Sequence, residues 1–160
     1  IHNLFFTDEI LTDFNTLYKV SPPLRTQHDI DALIECITDG TIDMVTTDHN
    51  PLDIEHKKVE FDHAAYGTIG LESAFAAFQT LFTLKKTVDI LTKGKSRFGV
   101  EPTPINIGNK LDITLFNPDL KYTFSSKDII SKSKNAIFEN QDLKGKVYGI
   151  ISNNKISLDS

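Results

Sequence analysis

The sequence predicts an α/β protein, with helices concentrated in its first hundred residues and strands in its last fifty. Two observations carry that prediction. Apolar residues recur at helical spacing in three segments before Gly99, whereas β-branched and alternating runs dominate after it. The first strong helix is followed by Gly40, a short apolar run and a polar loop, the rhythm of a chain that alternates helices with buried strands.

Leu4-Phe5-Phe6 opens the chain apolar, and Thr7-Asp8-Glu9 then predicts a short helix to about Phe14, because acids favour a helix N-terminus. Lys19 to Pro23 cannot be helical, since each proline lacks a donor and pushes its predecessor to extended geometry. Thr26 to Asp29 spells a capping box with Asp in the acidic place, and Ile30, Leu33, Ile34 and Ile37 continue at helical spacing until Gly40. Ile42 to Thr47 reads as a short buried strand. The polar stretch from His49 to Tyr66 lacks periodicity, and loops of that length in compact domains are more often functional than idle.

Leu71, Ala74, Phe75, Phe78, Leu81 and Phe82 predict a second helix, and Leu84, Val88 and Leu91 a third, with a last turn reaching Phe98. Pro102 and Pro104 mark a change of character. Residues 110–116 and Tyr122-Thr123-Phe124 are strand candidates, and Lys146–Ile151 with Lys155–Leu158 form a hairpin about Asn153-Asn154, where Asn tolerates the positive φ of a tight turn.

Composition excludes several roles. With 17 basic against 22 acidic residues and a net charge of -5, no basic stripe is available to track phosphates, so nucleic acid is not an expected partner. No apolar run approaches a membrane span, so no membrane is an expected partner either. A lone cysteine, Cys36, forms no internal disulfide and suits a reducing cytoplasm. The only methionine is Met44, so the chain reads as the interior of a longer enzyme.

Thr47-Asp48-His49 lies at the C-terminal end of the predicted strand, where catalytic groups of α/β barrels gather. An Asp after a strand is also an ordinary turn former or cap. His2, His28, His49, His56 and His63 show no metal-binding spacing, and read mostly as surface residues.

Four motifs, in order, carry a family resemblance: Lys19 to Arg25 (KVSPPLR), Asp39 to Asp43 (DGTID), Thr47 to Pro51 (TDHNP) and Gly67 to Glu72 (GTIGLE). Together they resemble the C-terminal part of dihydroorotases of the amidohydrolase superfamily. His2 to Glu9 resembles the stretch that leads into these motifs in such enzymes. Gly108 to Phe116, Ser133-Lys134-Asn135, Gly145-Lys146-Val147 and Gly149 resemble the family's return to a small β domain.

The resemblance implies the closing part of a (β/α)₈ TIM-type barrel: its last βα units over residues 1–100, then strands of a small composite β-sandwich domain over residues 101–160. It implies a cytoplasmic hydrolase that interconverts dihydroorotate and carbamoyl-aspartate in pyrimidine synthesis at one or two zinc ions. Asp48 matches the aspartate that binds metal and shuttles the proton. Ser21 matches a substrate-carboxylate position, and the backbone at Tyr66-Gly67 matches the loop that holds the substrate ring. The remaining zinc ligands have no counterpart here, so this chain alone is expected to be inert and to self-associate or contact the rest of its enzyme.

Two residues depart from the family pattern: Ser21 stands for Asn, and Leu52 for the His that comes directly after the Asp-His-x-Pro segment. Leu cannot bind an anion, and His56 or Lys57 is the nearest replacement. Beside the active hydrolase stand two other expectations, an inactive assembly partner of aspartate transcarbamoylase and a hydantoinase- or allantoinase-type cyclic amidohydrolase.

Overall fold

The computed structural model describes residues 1–100 and 104–158. Pro102 lies outside them. The described chain is α/β, with three α-helices, several 3₁₀ turns and a three-stranded sheet. It forms two compact units: one comprises Ile1–Ala74 with Thr123–Asp142, the other Phe75–Tyr122 with the chain from Leu143. The boundary expected between residues 100 and 101 falls inside the second unit.

In the first unit, helix α1 (Gln27–Asp39) begins where predicted: Thr26 and Asp29 form a reciprocal capping box, and Gly40 ends the helix at φ 92°. Substituting such a cap by Ala costs about 1 kcal/mol. Ile30 and Ile37 are buried. The helix expected before Phe14 is instead a 3₁₀ segment, Asp8–Asp13, ended by Phe14 in the left-handed region.

The predicted strand over 42–47 does not form among the described residues: Met44 is 42% exposed, and no ladder reaches this segment. A strand requires a partner backbone. Pairing begins only at His49, which bridges Thr68 in parallel; Ile69 then bridges Ala136. Residues 68–69 thus lie between the end of the Asp48 segment and a thread, Asn135 to Phe138, in which every residue is at most 2% exposed. Phe138 stands edge-on to Phe5, with ring centroids 5.1 Å apart, and 5.2 Å from Phe6.

In the second unit, α2 (Ala74–Leu81, with Ala74 in the first unit) and α3 (Leu84–Lys93, capped by Thr83) match the predicted spacing, and a 3₁₀ turn reaches Phe98. The two strand candidates at 110–116 and 122–124 prove to be one strand, β1 (Ile113–Thr123). Pro118 does not interrupt it because β1 is an edge of the sheet β1-β2-β3, where a missing donor costs no ladder bond. β2 (Asp142–Ser152) and β3 (Lys155–Leu158) form the expected hairpin, with Ser152 opposite Lys155 and both Asn153 and Asn154 at positive φ. Phe75 meets Phe116 at 4.6 Å, and Gly145 leaves room for Phe75 and Gln79, so α2 covers this sheet.

Candidate active site

Asp48 sits in the first unit at φ 50°, a left-handed conformation that Asp tolerates better than most residues. Its amide donates to Thr46 Oγ1 at 3.1 Å. The residues after it are fixed at once, because Asn50 N–H donates to Thr68 O at 2.8 Å. Two glycines allow the close passage this needs. A Cβ on Gly70 would stand 2.7 Å from the Thr47 carbonyl oxygen, and one on Gly67, at φ 133°, would stand 2.3 Å from Asn50 Nδ2.

The three sequence-predicted regions meet through hydrogen bonds. Gly67 N–H donates to Lys19 O at 3.1 Å, two residues before the exposed Ser21, and Asn50 Nδ2 donates to Tyr66 O at 3.2 Å. Asp48, the 19–21 segment and Tyr66-Gly67 are therefore neighbours along one connected set of loops. The Gly67 amide is already occupied, so a ligand here has the second lone pairs of the Tyr66 and Gly67 carbonyls and the 57% exposed Tyr66 side chain to bind.

His49 points away from solvent. Its Nδ1 accepts from Gly70 N–H at 3.2 Å and Leu71 N–H at 3.3 Å, so the neutral ring carries its proton on Nε2. Glu72 Oε2 lies 4.0 Å from the same nitrogen. Burial alone would raise the Glu72 carboxyl, but hydrogen bonds from the Ser131 hydroxyl and amide outweigh it and hold the group below its ordinary value.

His2 departs from the expectation of surface histidines. It is 2% exposed, and burial lowers its pKa while the nearby Asp48 carboxylate pulls the other way. Its neighbours Ile1 and Leu4 are buried too, and that apolar flank is the sequence signal for its position.

Lys57, one of the two candidate replacement cations beside Leu52, is spent elsewhere. It is 3% exposed, and its ammonium donates to Thr16 O at 2.9 Å and Lys19 O at 3.0 Å. Lys19 reciprocates across the gap, donating to Phe61 O at 2.6 Å and Asp62 O at 3.0 Å. The two lysines clasp the polar loop to the 16–19 segment. His56 stays exposed and lines a cleft of about 290 Å³ with Leu52, Lys132 and Ser133.

Burial, with the charge of Lys19, lowers Lys57 from its ordinary 10.5 to about 8. Between those values the unfolded chain holds more protons than the folded one, so stability rises with pH across that window. Below about pH 8 the cost of burying the charge is fully present. Thermal midpoints of wild type relative to Lys57→Met are expected to climb from about pH 8 to about pH 10. A flat or falling difference contradicts a buried, pKa-depressed lysine.

Among the described residues no three His, Cys, Asp or Glu side chains converge on one point. Zinc takes three or four such ligands. The described residues therefore do not make a metal centre by themselves.

Comparison with known proteins bears on the family and the fold. No family model matches the chain. It is 38% identical to a dihydroorotase of Caldicellulosiruptor saccharolyticus over 97% of its own length and 38% of that protein's, and 39% identical to one of Caldanaerobacter subterraneus over 94% and 36%. The L-hydantoinase of Arthrobacter aurescens superposes on 98% of the chain with a TM-score of 0.83 at 20% identity, the chain covering 38% of it, which shows the fold alone. A D-hydantoinase from a Thermus species reaches 0.74 at 25% identity over 89% of the chain and 34% of its own. The chain thus spans little more than a third of the relatives it matches, and over that span its sequence is similar to those of dihydroorotases.

Proposed function

We propose that this chain is the C-terminal portion of a (β/α)₈ cyclic-amide hydrolase that interconverts dihydroorotate and N-carbamoyl-aspartate, a step of pyrimidine synthesis in the cytoplasm. The observation that carries the reading is Asp48, held in the left-handed region where its segment begins to pair, two residues before Asn50, which is bonded to Tyr66 and Thr68. A carboxylate so placed can take a proton from the attacking water as oxygen bonds to the ring carbonyl carbon. It can return that proton to the nitrogen as the C–N bond breaks. Zinc, bound by Asp48 and by ligands outside this chain, would supply activation of that water.

In this reading the chain alone is inert, because one carboxylate does not hold the ion. Exposed apolar residues such as Met44 and Ile107 are then covered by the rest of the enzyme or by a second copy.

The decisive assay gives the intact, zinc-loaded protein N-carbamoyl-aspartate and dihydroorotate. Turnover of both is expected, and a folded, metal-bound protein that converts neither sinks the reading. Leu52 and the sequestered Lys57 ammonium favour a second reading, a hydantoinase-type enzyme whose ring bears no carboxylate. Hydrolysis of hydantoin or dihydrouracil without dihydroorotate activity would select it.

A further inference from the structure

The segment from Ser131 to Ile137 bonds to the loop after Asp48, to the Gly67–Ile69 stretch and to Glu72, although the proposed chemistry gives it no part. Asn135 is 1% exposed. Its Nδ2 donates to Asn50 O at 3.0 Å and to Gly67 O at 3.3 Å, while its Oδ1 accepts from Leu52 N–H at 3.2 Å. One carboxamide thus holds the loop two residues after Asp48 and the Gly67 loop together. Ser133 Oγ accepts from Leu52 N–H at 3.0 Å, and its single proton serves Leu52 O or Asn135 Oδ1. The Asn135 backbone carbonyl takes Ile69 N–H and the Thr68 hydroxyl, both at 3.0 Å, so the clamp is itself anchored.

We propose that Asn135 is a positioning residue, which with Ser133 sets the spacing between the Asp48 loop and the Gly67 loop and so the fit of a bound ring. A hydrophobic side chain could fill the same volume. Only an amide supplies two donors and an acceptor in one plane, to the Asn50 and Gly67 carbonyls and the Leu52 N–H. This rests on the cyclic-amidase reading for its kinetic consequence but not for its structural one.

The test uses Asn135→Asp and Ser133→Ala in the intact protein. Aspartate keeps the size and the acceptor for Leu52 but donates nothing to Asn50 O or Gly67 O. Because the loops hold the ring rather than move the proton, KM for the ring substrate is expected to rise about 10-fold in Asn135→Asp and about 3-fold in Ser133→Ala, with kcat changed less than about 3-fold. A fall in kcat at constant KM, which lost folded enzyme alone produces, or unchanged constants in both variants, overturns the proposal.

Amide hydrogen exchange is read in parallel, since Ser133→Ala is a mild, partly exposed change that spares the fold. Exchange at Asn50 in Asn135→Asp and at Leu52 in Ser133→Ala is expected to quicken while amides of α1 keep their protection. If wild type opens no ring, the enzymatic reading fails and exchange alone decides: faster exchange confined to these loops sustains the clamp, and unaltered exchange refutes it.

Discussion

Asp48→Asn is expected to lower kcat for ring opening about a thousandfold in the intact protein, within the range that a positioned acid–base group contributes. The substitution is nearly isosteric, and Asn tolerates the left-handed region at least as well as Asp, so φ 50° and the amide bond to Thr46 Oγ1 survive it. What disappears is a carboxylate able to accept a proton. Steady-state rates with N-carbamoyl-aspartate, alongside a circular dichroism spectrum matching wild type, check this. Retention of a tenth of the rate would show that another group moves the proton.

Phe138→Ala is expected to destabilise the protein by about 3–5 kcal/mol, the range for removing a buried aromatic ring. Phe138 is 1% exposed and lies against both Phe5 and Phe6, so little around it can collapse into the void. The loss also reaches the site, because Phe138 closes the buried thread that begins at Asn135. The urea midpoint, read at constant m-value, measures it. A change under about 1 kcal/mol would mean that this thread is not part of the core.

The elements legible in the sequence are those whose signals are local. The Thr26–Asp29 box and the Asn153-Asn154 turn are each written within a few residues, and both stand where predicted. The strand over 42–47 does not form because β-branched composition describes a side-chain preference, while a ladder depends on a neighbour that local sequence does not specify. Lys57 escapes a sequence reading for a related reason. A lysine in a polar loop looks solvated, and only the carbonyls of Thr16 and Lys19, distant in sequence, explain its burial. The same distance hides Asn135. Lys132 and Lys134 are exposed, but Ser131 turns inward to Glu72, and Ser133 and Asn135 to Leu52.

The span of the Asn135 clamp also bears on how such a chain is made. Asn50 and Asn135 are separated by 85 positions, and the first unit is left at Ala74 and rejoined only at Thr123. During synthesis, α1 can form as soon as it emerges, since its caps are local. The loops around Asp48 must wait unclamped for about 8 s at roughly ten residues per second, within the usual range of ribosomal speeds. A nascent chain arrested before residue 135 therefore carries its aspartate but not the fastening that places it.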